Sequence, residues 1–384
     1  MKILHTSDWH LGHTISGYDR SDEQADMLRQ ISDLAKMHKP DVLLISGDVY
    51  HTGQPSAAVQ TLLTETLSRL RRECPEMTIV SIAGNHDSAS KHDIFRTPWR
   101  SLGVYTFGCI DRDNPGTHIV EIADKGFVVA LPYTHPRNMP DDFMGKLQKA
   151  IEDRNTNNLP VVLMAHTTVS GCDFTGHDDG TEITVGGIDG MALKELGEGY
   201  DYVALGHIHA PQTLKGSANR ARYSGSPLAV SFAEEYAHTV TIVNITERGT
   251  LPIISTEEIT PLRSLVTLPS NGYADWENAC RLLKEFPDRQ EAYLRLNISA
   301  SSHIPADAAL QATMLCKDKS ARFCRLNIER NSSNGKGCER TMTVDELKET
   351  SPLELAHRYA SDMGIVFTDE MEQMLNSVIN MIEQ

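Results

Sequence analysis

The chain has no C-x-x-C pair, no Gly-rich phosphate loop, no excess of positive charge and no run of about 18 apolar residues. Each absence removes a class of function. Seven cysteines, an odd number without paired spacing, exclude a zinc ribbon or a disulfide framework and fit a reducing compartment. Lacking a phosphate loop, the chain is not expected to handle ATP by itself. Lys2 leads directly into a strand-like segment rather than an apolar signal region, so a cytoplasmic, soluble protein with no membrane partner is expected. The formal net charge of -16 counts against a phosphate-bearing partner unless carboxylates are held in metal sites and basic residues are gathered on one face. At 384 residues there is length for one large domain and one or two small ones. What the sequence does have is histidine: 13 of its 16 lie in the first 209 residues, so something there uses imidazole.

The clearest stretch is Thr78-Ile79-Val80-Ser81-Ile82-Ala83, an apolar β-branched run that stops at Gly84-Asn85-His86-Asp87. It reads as a buried strand whose loop presents an amide, an imidazole and a carboxylate at the strand's C-terminal tip, where open α/β sheets bind ligands. The layout recurs. Lys2 to Ser7 empties into Asp8-Trp9-His10, Val42 to Ser46 into Gly47-Asp48 and His51, Val161 to Ala165 into His166, and Tyr202 to Leu205 into Gly206-His207-Ile208-His209. Between the first strands, a capping pattern at Ser21 with Gln24 and the stripe Leu28, Ile31, Leu34, Ala35 predict a helix ending before Pro40. Pro55 to Arg72 carries a second helical stripe. Further strands are expected over Phe127 to Leu131, Arg222 to Pro227 and Thr239 to Val243.

Any one of these loops alone would pass for a surface turn, since Asn, Asp and His all favour turns. Five in order point to chemistry. Carboxylates together with imidazoles suit manganese, iron or zinc better than magnesium or calcium, which prefer all-oxygen sites. About seven ligands exceed the need of one ion, so two ions sharing a carboxylate is the simpler account.

The motifs D-x-H, G-D, G-N-H-D, a lone His and G-H-x-H, here Asp8/His10, Gly47/Asp48, Gly84 to Asp87, His166 and Gly206 to His209, resemble those of the calcineurin-like metallophosphoesterases. The segments His5 to Gly12, Tyr202 to His209 and Tyr223 to Phe232, with His51 three residues after Asp48, are similar to the SbcD-type DNA repair nucleases within that superfamily. The resemblance covers nearly the whole chain. It implies an α/β fold: a two-sheet sandwich flanked by helices, with a small α+β capping domain and a C-terminal helical tail. It also implies two divalent ions, manganese first, with Asp8, His10, Asp48 and His209 on one and Asp48, Asn85, His166 and His207 on the other. His86 would then act as transition-state stabiliser or proton donor, Asp87 would hold its ring, and His51 would assist at the phosphate or leaving group. Implied partners are double-stranded DNA ends and hairpins and an SbcC-like ATPase, the chain being a homodimer within a heterotetramer. Two departures, Asp178-Asp179-Gly180 and Ala210, bear on local DNA contacts and leave the metal motifs intact.

These readings divide the chain into a nuclease domain over 1–261, a capping domain over 262–330, and a linker with partner-binding helices over 331–384. In the second, a strand over Ser264 to Leu268, a helix over Tyr273 to Glu285, the alternating Tyr293 to Ile298, a helix near Ala306 to Leu315 and a strand over Arg322 to Ile328 are expected. A basic cluster, Lys317, Lys319, Arg322, Arg325, Arg330, Lys336 and Arg340, offers either a phosphate-backbone contact or a solvated face. Asn331 to Gly337 reads as a linker, and the stripe Met371, Met374, Leu375, Val378, Ile379, Ile382 either folds back or docks on a partner; the resemblance favours the ATPase. The alternatives are a phosphomonoesterase or cyclic-nucleotide phosphodiesterase on the same ions, and a metal-free scaffold, against which the full ligand set argues.

Overall fold

Alternation inside each apolar run decides which layer a side chain joins, because successive residues of a strand face opposite sides of a sheet. The computed structural model, which describes residues 1–176, 191–299 and 303–329 with isolated positions at 353, 371, 372 and 375, resolves these runs into two stacked sheets. The first half of the chain runs β1 (Lys2–Thr6), α1 (Ser21–His38), β2 (Val42–Ser46), α2 (Ala57–Glu73), β3 (Thr78–Ile82), α3 (Ala89–Ile94), α4 (Arg96–Arg100), β4 (Val104–Phe107), β5 (Ile119–Ile122), β6 (Gly126–Leu131), α5 (Phe143–Arg154) and β7 (Val161–His166). Then follow β8 (Tyr202–Gly206), β9 (Gln212–Thr213), β10 (Ala221–Tyr223), β11 (Thr239–Asn244) and β12 (Ile253–Glu258). One six-stranded sheet has the order β12-β11-β1-β2-β3-β4 and the other β5-β6-β7-β8-β10-β9.

Ile3, Val42, Leu44, Val80 and Ile82 of the first sheet meet Val128, Ala130, Val162, Met164 and Ala204 of the second in the central core. Their neighbours Leu4, Leu43, Ile45 and Ile79 turn outward onto Met27, Leu28 and Ile31 of α1 and Leu67 and Leu70 of α2. Leu131, Leu163 and Leu205 turn the other way onto Phe143, Leu147 and Ile151 of α5. The result is a helix, sheet, sheet, helix stack. Burial on both faces is why these strands read as continuous apolar runs.

The chain continues as β13 (Ser264–Leu268), α6 (Trp276–Glu285), β14 (Ala292–Ile298), α7 (Ala308–Leu315) and β15 (Arg322–Ile328), a parallel three-stranded sheet with its own core of Leu283, Leu294, Leu296 and Phe323. Met1–Ile328 cluster as one unit, so this sheet and the sandwich belong together. Tyr293, fully buried, joins them: its hydroxyl donates to Glu23 at 2.6 Å, and the guanidinium groups of Arg20, Arg263 and Arg322 lie over its ring at 5.8, 5.6 and 5.9 Å. Arg322 is thus engaged internally, and so is Lys319, whose ammonium donates to the Phe286 and Lys284 carbonyls and to Asp288. These two members of the basic cluster do not offer an open face to phosphate. Arg330, Lys336 and Arg340, the linker and the C-terminal stripe apart from Met371 and Leu375 lie outside the described residues.

Two local expectations are corrected. Ser21 does not cap α1: the residue at the cap is Arg20, with no side-chain cap bond, and Gln24 turns away from the helix end. The Gln24 amide instead accepts from the Gly12 N–H at 2.9 Å and donates to the His13 carbonyl at 3.1 Å, bracing the loop after β1. The strand expected over Arg222 to Pro227 stops at Tyr223, and Ser224 and Ser226 beyond it are buried loop residues.

Candidate dinuclear metal centre

Parallel pairing brings the strand ends to one rim. β1, β2 and β3 are mutually parallel, as are β6, β7 and β8, so the loops after β1, β2, β3, β7 and β8 leave both sheets at their C-terminal edges. Pairing persists past the strands, with Asp8 N–H on the Gly47 carbonyl and His10 N–H on that of Asp48, both at 3.0 Å. Asp8, His10, Asp48 and His207 have φ of 53°, 44°, 48° and 101°. Left-handed backbone is uncommon outside glycine and concentrates where function over-determines the chain. Here it turns each side chain back toward the rim.

The motif glycines follow from crowding at that rim. A Cβ on Gly84 would collide with the carboxylate and backbone N of Asp48, and one on Gly47 with the His166 ring. Both positions need a residue without a side chain so that neighbouring loops can touch.

Three groups of donors result among the described residues; one, His10 with His51 and His86, has no carboxylate, and each of the other two has one. Asp8, His10 and His209, all buried, present ligand atoms within 4.8 Å of one another, and so do Asp48, His166 and the partly exposed His207. Asn85 joins the second group, its Oδ1 lying 2.9 Å from His166 Nε2 and 3.1 Å from His207 Nδ1. Asp48 stands between the groups: its Oδ2 is 3.3 Å from His166 Nε2 and 3.9 Å from His10 Nε2.

Hydrogen bonds on the far side of two of the rings, His166 and His209, aim their near side inward. His166 Nδ1 donates to the Ser46 carbonyl at 2.8 Å, leaving Nε2 to face Asp48 and Asn85. His209 Nδ1 donates to Glu234 at 3.1 Å, leaving Nε2 to face His10 Nε2, also at 3.1 Å. The inner atoms are therefore mostly acceptors facing acceptors, an arrangement that a proton or a cation satisfies. The electrostatics agree. Burial pulls the His166 imidazole down, but the Asp48 carboxylate outweighs it and raises the ring to about 9. Burial pushes Asp48 up, yet His166, His10 and His86 together hold it below the usual carboxylate range. Asp8, which accepts from the Ser7 hydroxyl at 2.5 Å and from the His207 N–H at 3.0 Å, is raised by its burial. Burial holds His10 well below the ordinary imidazole value, so its lone pair is available.

His86 lies beside both carboxylate-bearing groups, its N–H on Asp48 Oδ1 at 2.9 Å and its ring 5.0 Å from that of His10. Its Nδ1 pairs with the His51 carbonyl at 3.0 Å, and the His51 ring stacks on it at 5.7 Å. All ten residues singled out in the sequence thus gather at one rim.

A family profile for calcineurin-like phosphoesterases matches residues 1–211, more than half of the chain. The chain belongs to that family. Its class of chemistry is metal-dependent phosphoester hydrolysis, and the two carboxylate-bearing groups of donors fit a dinuclear site of the calcineurin type. Among curated proteins, the phosphoesterase is 34% identical over 261 residues to the SbcD component of the SbcCD nuclease of Bacillus subtilis, covering 64% of this chain and 66% of that one, just under two thirds of its length. It is 30% identical over 354 residues to the corresponding SbcCD component of Rhodobacter capsulatus, covering 82% of this chain and 85% of that one, which places it among the SbcD-type nucleases. A solved structure, TT1561 of Thermus thermophilus, aligns with 67% of this chain and 99% of its own at 10% identity and a TM-score of 0.40.

One expected role in the phosphoesterase is corrected. Asp87 does not hold the His86 ring. Its carboxylate accepts from the N–H groups of Val49, Tyr50 and Gly84 at 3.1, 2.8 and 2.9 Å, lacing the loop after β2 to the loop after β3. The ring is held by the His51 carbonyl instead. Sequence reasoning missed three contributors. Gln24 and Glu234 brace the site from outside any motif, and His13, held to about 3 by burial, packs edge-on against His51 at 4.7 Å. Glu234 lies two residues past the Tyr223 to Phe232 segment, which was its only signal.

Proposed function

We propose that this chain is a manganese-dependent DNA nuclease subunit that hydrolyses phosphodiester bonds of double-stranded ends and hairpins and works with an SbcC-like ATPase. The observation that carries the reading is the convergence of Asp8, His10, Asp48, Asn85, His166, His207 and His209 on one rim, with His86 alongside. In this reading Asp8, His10, Asp48 and His209 would hold one divalent ion and Asp48, Asn85, His166 and His207 a second, with Asp48 common to both sets. When bound, such a pair supplies an activated water and neutralises charge developing on the phosphate. The mixed carboxylate, imidazole and amide donors favour manganese over magnesium.

The protein groups do the remainder. The Ser46 carbonyl and Glu234 fix which nitrogen His166 and His209 offer, and the Ser7 hydroxyl and His207 N–H hold Asp8. His86, with Nδ1 committed to the His51 carbonyl, directs Nε2 to the substrate side and would carry the proton to the leaving sugar oxygen. The His51 ring, stacked on it, backs that edge and would assist at the phosphate or leaving group. The names of the related SbcCD components support the nuclease assignment and the pairing with an SbcC-like chain. The test is an assay of the purified chain, alone and with an SbcC-like ATPase, on a hairpin duplex with manganese and then magnesium. Cleavage with manganese is expected; turnover of aryl phosphates without any DNA cleavage would overturn the reading in favour of a phosphomonoesterase.

A further inference from the structure

Glu234 belongs to none of the five motifs, yet its carboxylate is completely buried. The groups converging on it are His209 Nδ1 at 3.1 Å, the Ser226 hydroxyl at 3.3 Å and the Val230 N–H at 3.3 and 3.4 Å to its two oxygens, with His238 Nε2 at 3.9 Å. No Lys or Arg is ion-paired with it among the described residues. A buried carboxylate is costly to keep unless its partners offset the charge, and the nearest of them is the His209 ring, paired with it at 3.1 Å. The path leads through His209, because a ring that donates from Nδ1 offers Nε2 to whatever lies opposite.

The segment carrying Glu234 is itself held. Phe232, buried two residues earlier, lies under the guanidinium of Arg295 at 5.2 Å and that of Arg325 at 5.7 Å, both from the three-stranded sheet. Arg295 also approaches Glu235 at 3.8 Å. The carboxylate is thus placed by contacts on both sides of it.

We propose that Glu234 is a positioning residue which fixes the His209 tautomer and ring, so that Nε2 and not Nδ1 is offered to the cation held by Asp8 and His10. This rests on the dinuclear reading above. It concerns one of the two ions only, since neither Asp48 nor His166 touches Glu234.

The experiment titrates manganese into the full chain stripped with chelator and counts free ion by electron paramagnetic resonance, with circular dichroism to check folding. Wild type is expected to bind two ions per chain. Glu234→Ala is expected to weaken one of the two sites about 10–100-fold and leave the other unchanged. Glu234→Gln, which keeps an acceptor oxygen but not the charge, is expected to fall between the two. Unchanged affinity at both sites in either folded variant, or equal weakening of both, overturns the proposal. If Glu234→Ala does not fold, Glu234→Gln decides alone, by selective weakening or its lack. A wild type holding fewer than two ions sinks the dinuclear reading itself, and the role of Glu234 with it.

Discussion

Two buried polar clusters lie in the same unit of the chain and are built in opposite ways. Around Tyr293, where the three-stranded sheet meets the sandwich, buried groups close on one another: Arg20 donates to Glu23 at 3.0 and 3.1 Å, and the Tyr293 hydroxyl donates to the other Glu23 oxygen. At the rim the ligand atoms turn toward one another instead, with His10 and His209 set nitrogen to nitrogen and His166 facing Asn85 and Asp48. A polar cluster that closes on itself holds a fold together. One that is braced from outside and left open within is arranged to hold something else. The contrast also appears in the backbone, since four rim residues occupy left-handed conformations that a purely structural turn would assign to glycine.

The comparison predicts that rim substitutions damage activity and spare stability, and that junction substitutions do the reverse. The largest effect is expected at His86. His86→Ala should lower DNA cleavage by about 10²–10⁴-fold while both ions stay bound, because its ring is held by a carbonyl and its backbone N–H, which the variant keeps, serves Asp48. Cleavage rate together with bound manganese checks this, and a full rate would remove His86 from the mechanism. At the junction, Tyr293→Phe takes a buried hydrogen bond from a charged acceptor and should cost about 1–3 kcal/mol in denaturant unfolding, with metal content unchanged.

A smaller effect separates burial from metal binding. His5 lies fully buried beside Tyr202 and is held at about 3 by desolvation. Its unfolded counterpart takes up a proton near 6.5, so its contribution to stability is complete above that pH and declines as pH falls from there toward 3, by up to about 1.4 kcal/mol per unit. Urea midpoints measured in chelator between pH 7 and 5 should fall less steeply for His5→Gln than for wild type, and parallel slopes would contradict this.

How much was legible follows from the same physics. Strands buried on both faces were plain as unbroken apolar runs, and their Gly-ended loops marked the rim. The edge strand β12, Ile253–Glu258, was not: it is mostly exposed and alternates without a sustained apolar run. β4 and β5 are only four residues each, too short for periodicity to register. Motif residues could be named because they recur at strand ends. Glu234, Gln24 and the true work of Asp87 could not, because their role depends on which loop folding brings beside them. Gln24 illustrates this most directly: its spacing from Ser21 fits a capping box, and the nearby loop carbonyls and N–H claimed it instead.

The shared carboxylate carries the whole account, and ion counting at matched free manganese reaches it most directly. Wild type should hold two ions per chain, and Asp48→Asn, still folded by circular dichroism, at most one. A wild type that holds one, or an Asp48→Asn that keeps two with unchanged affinity, would contradict it.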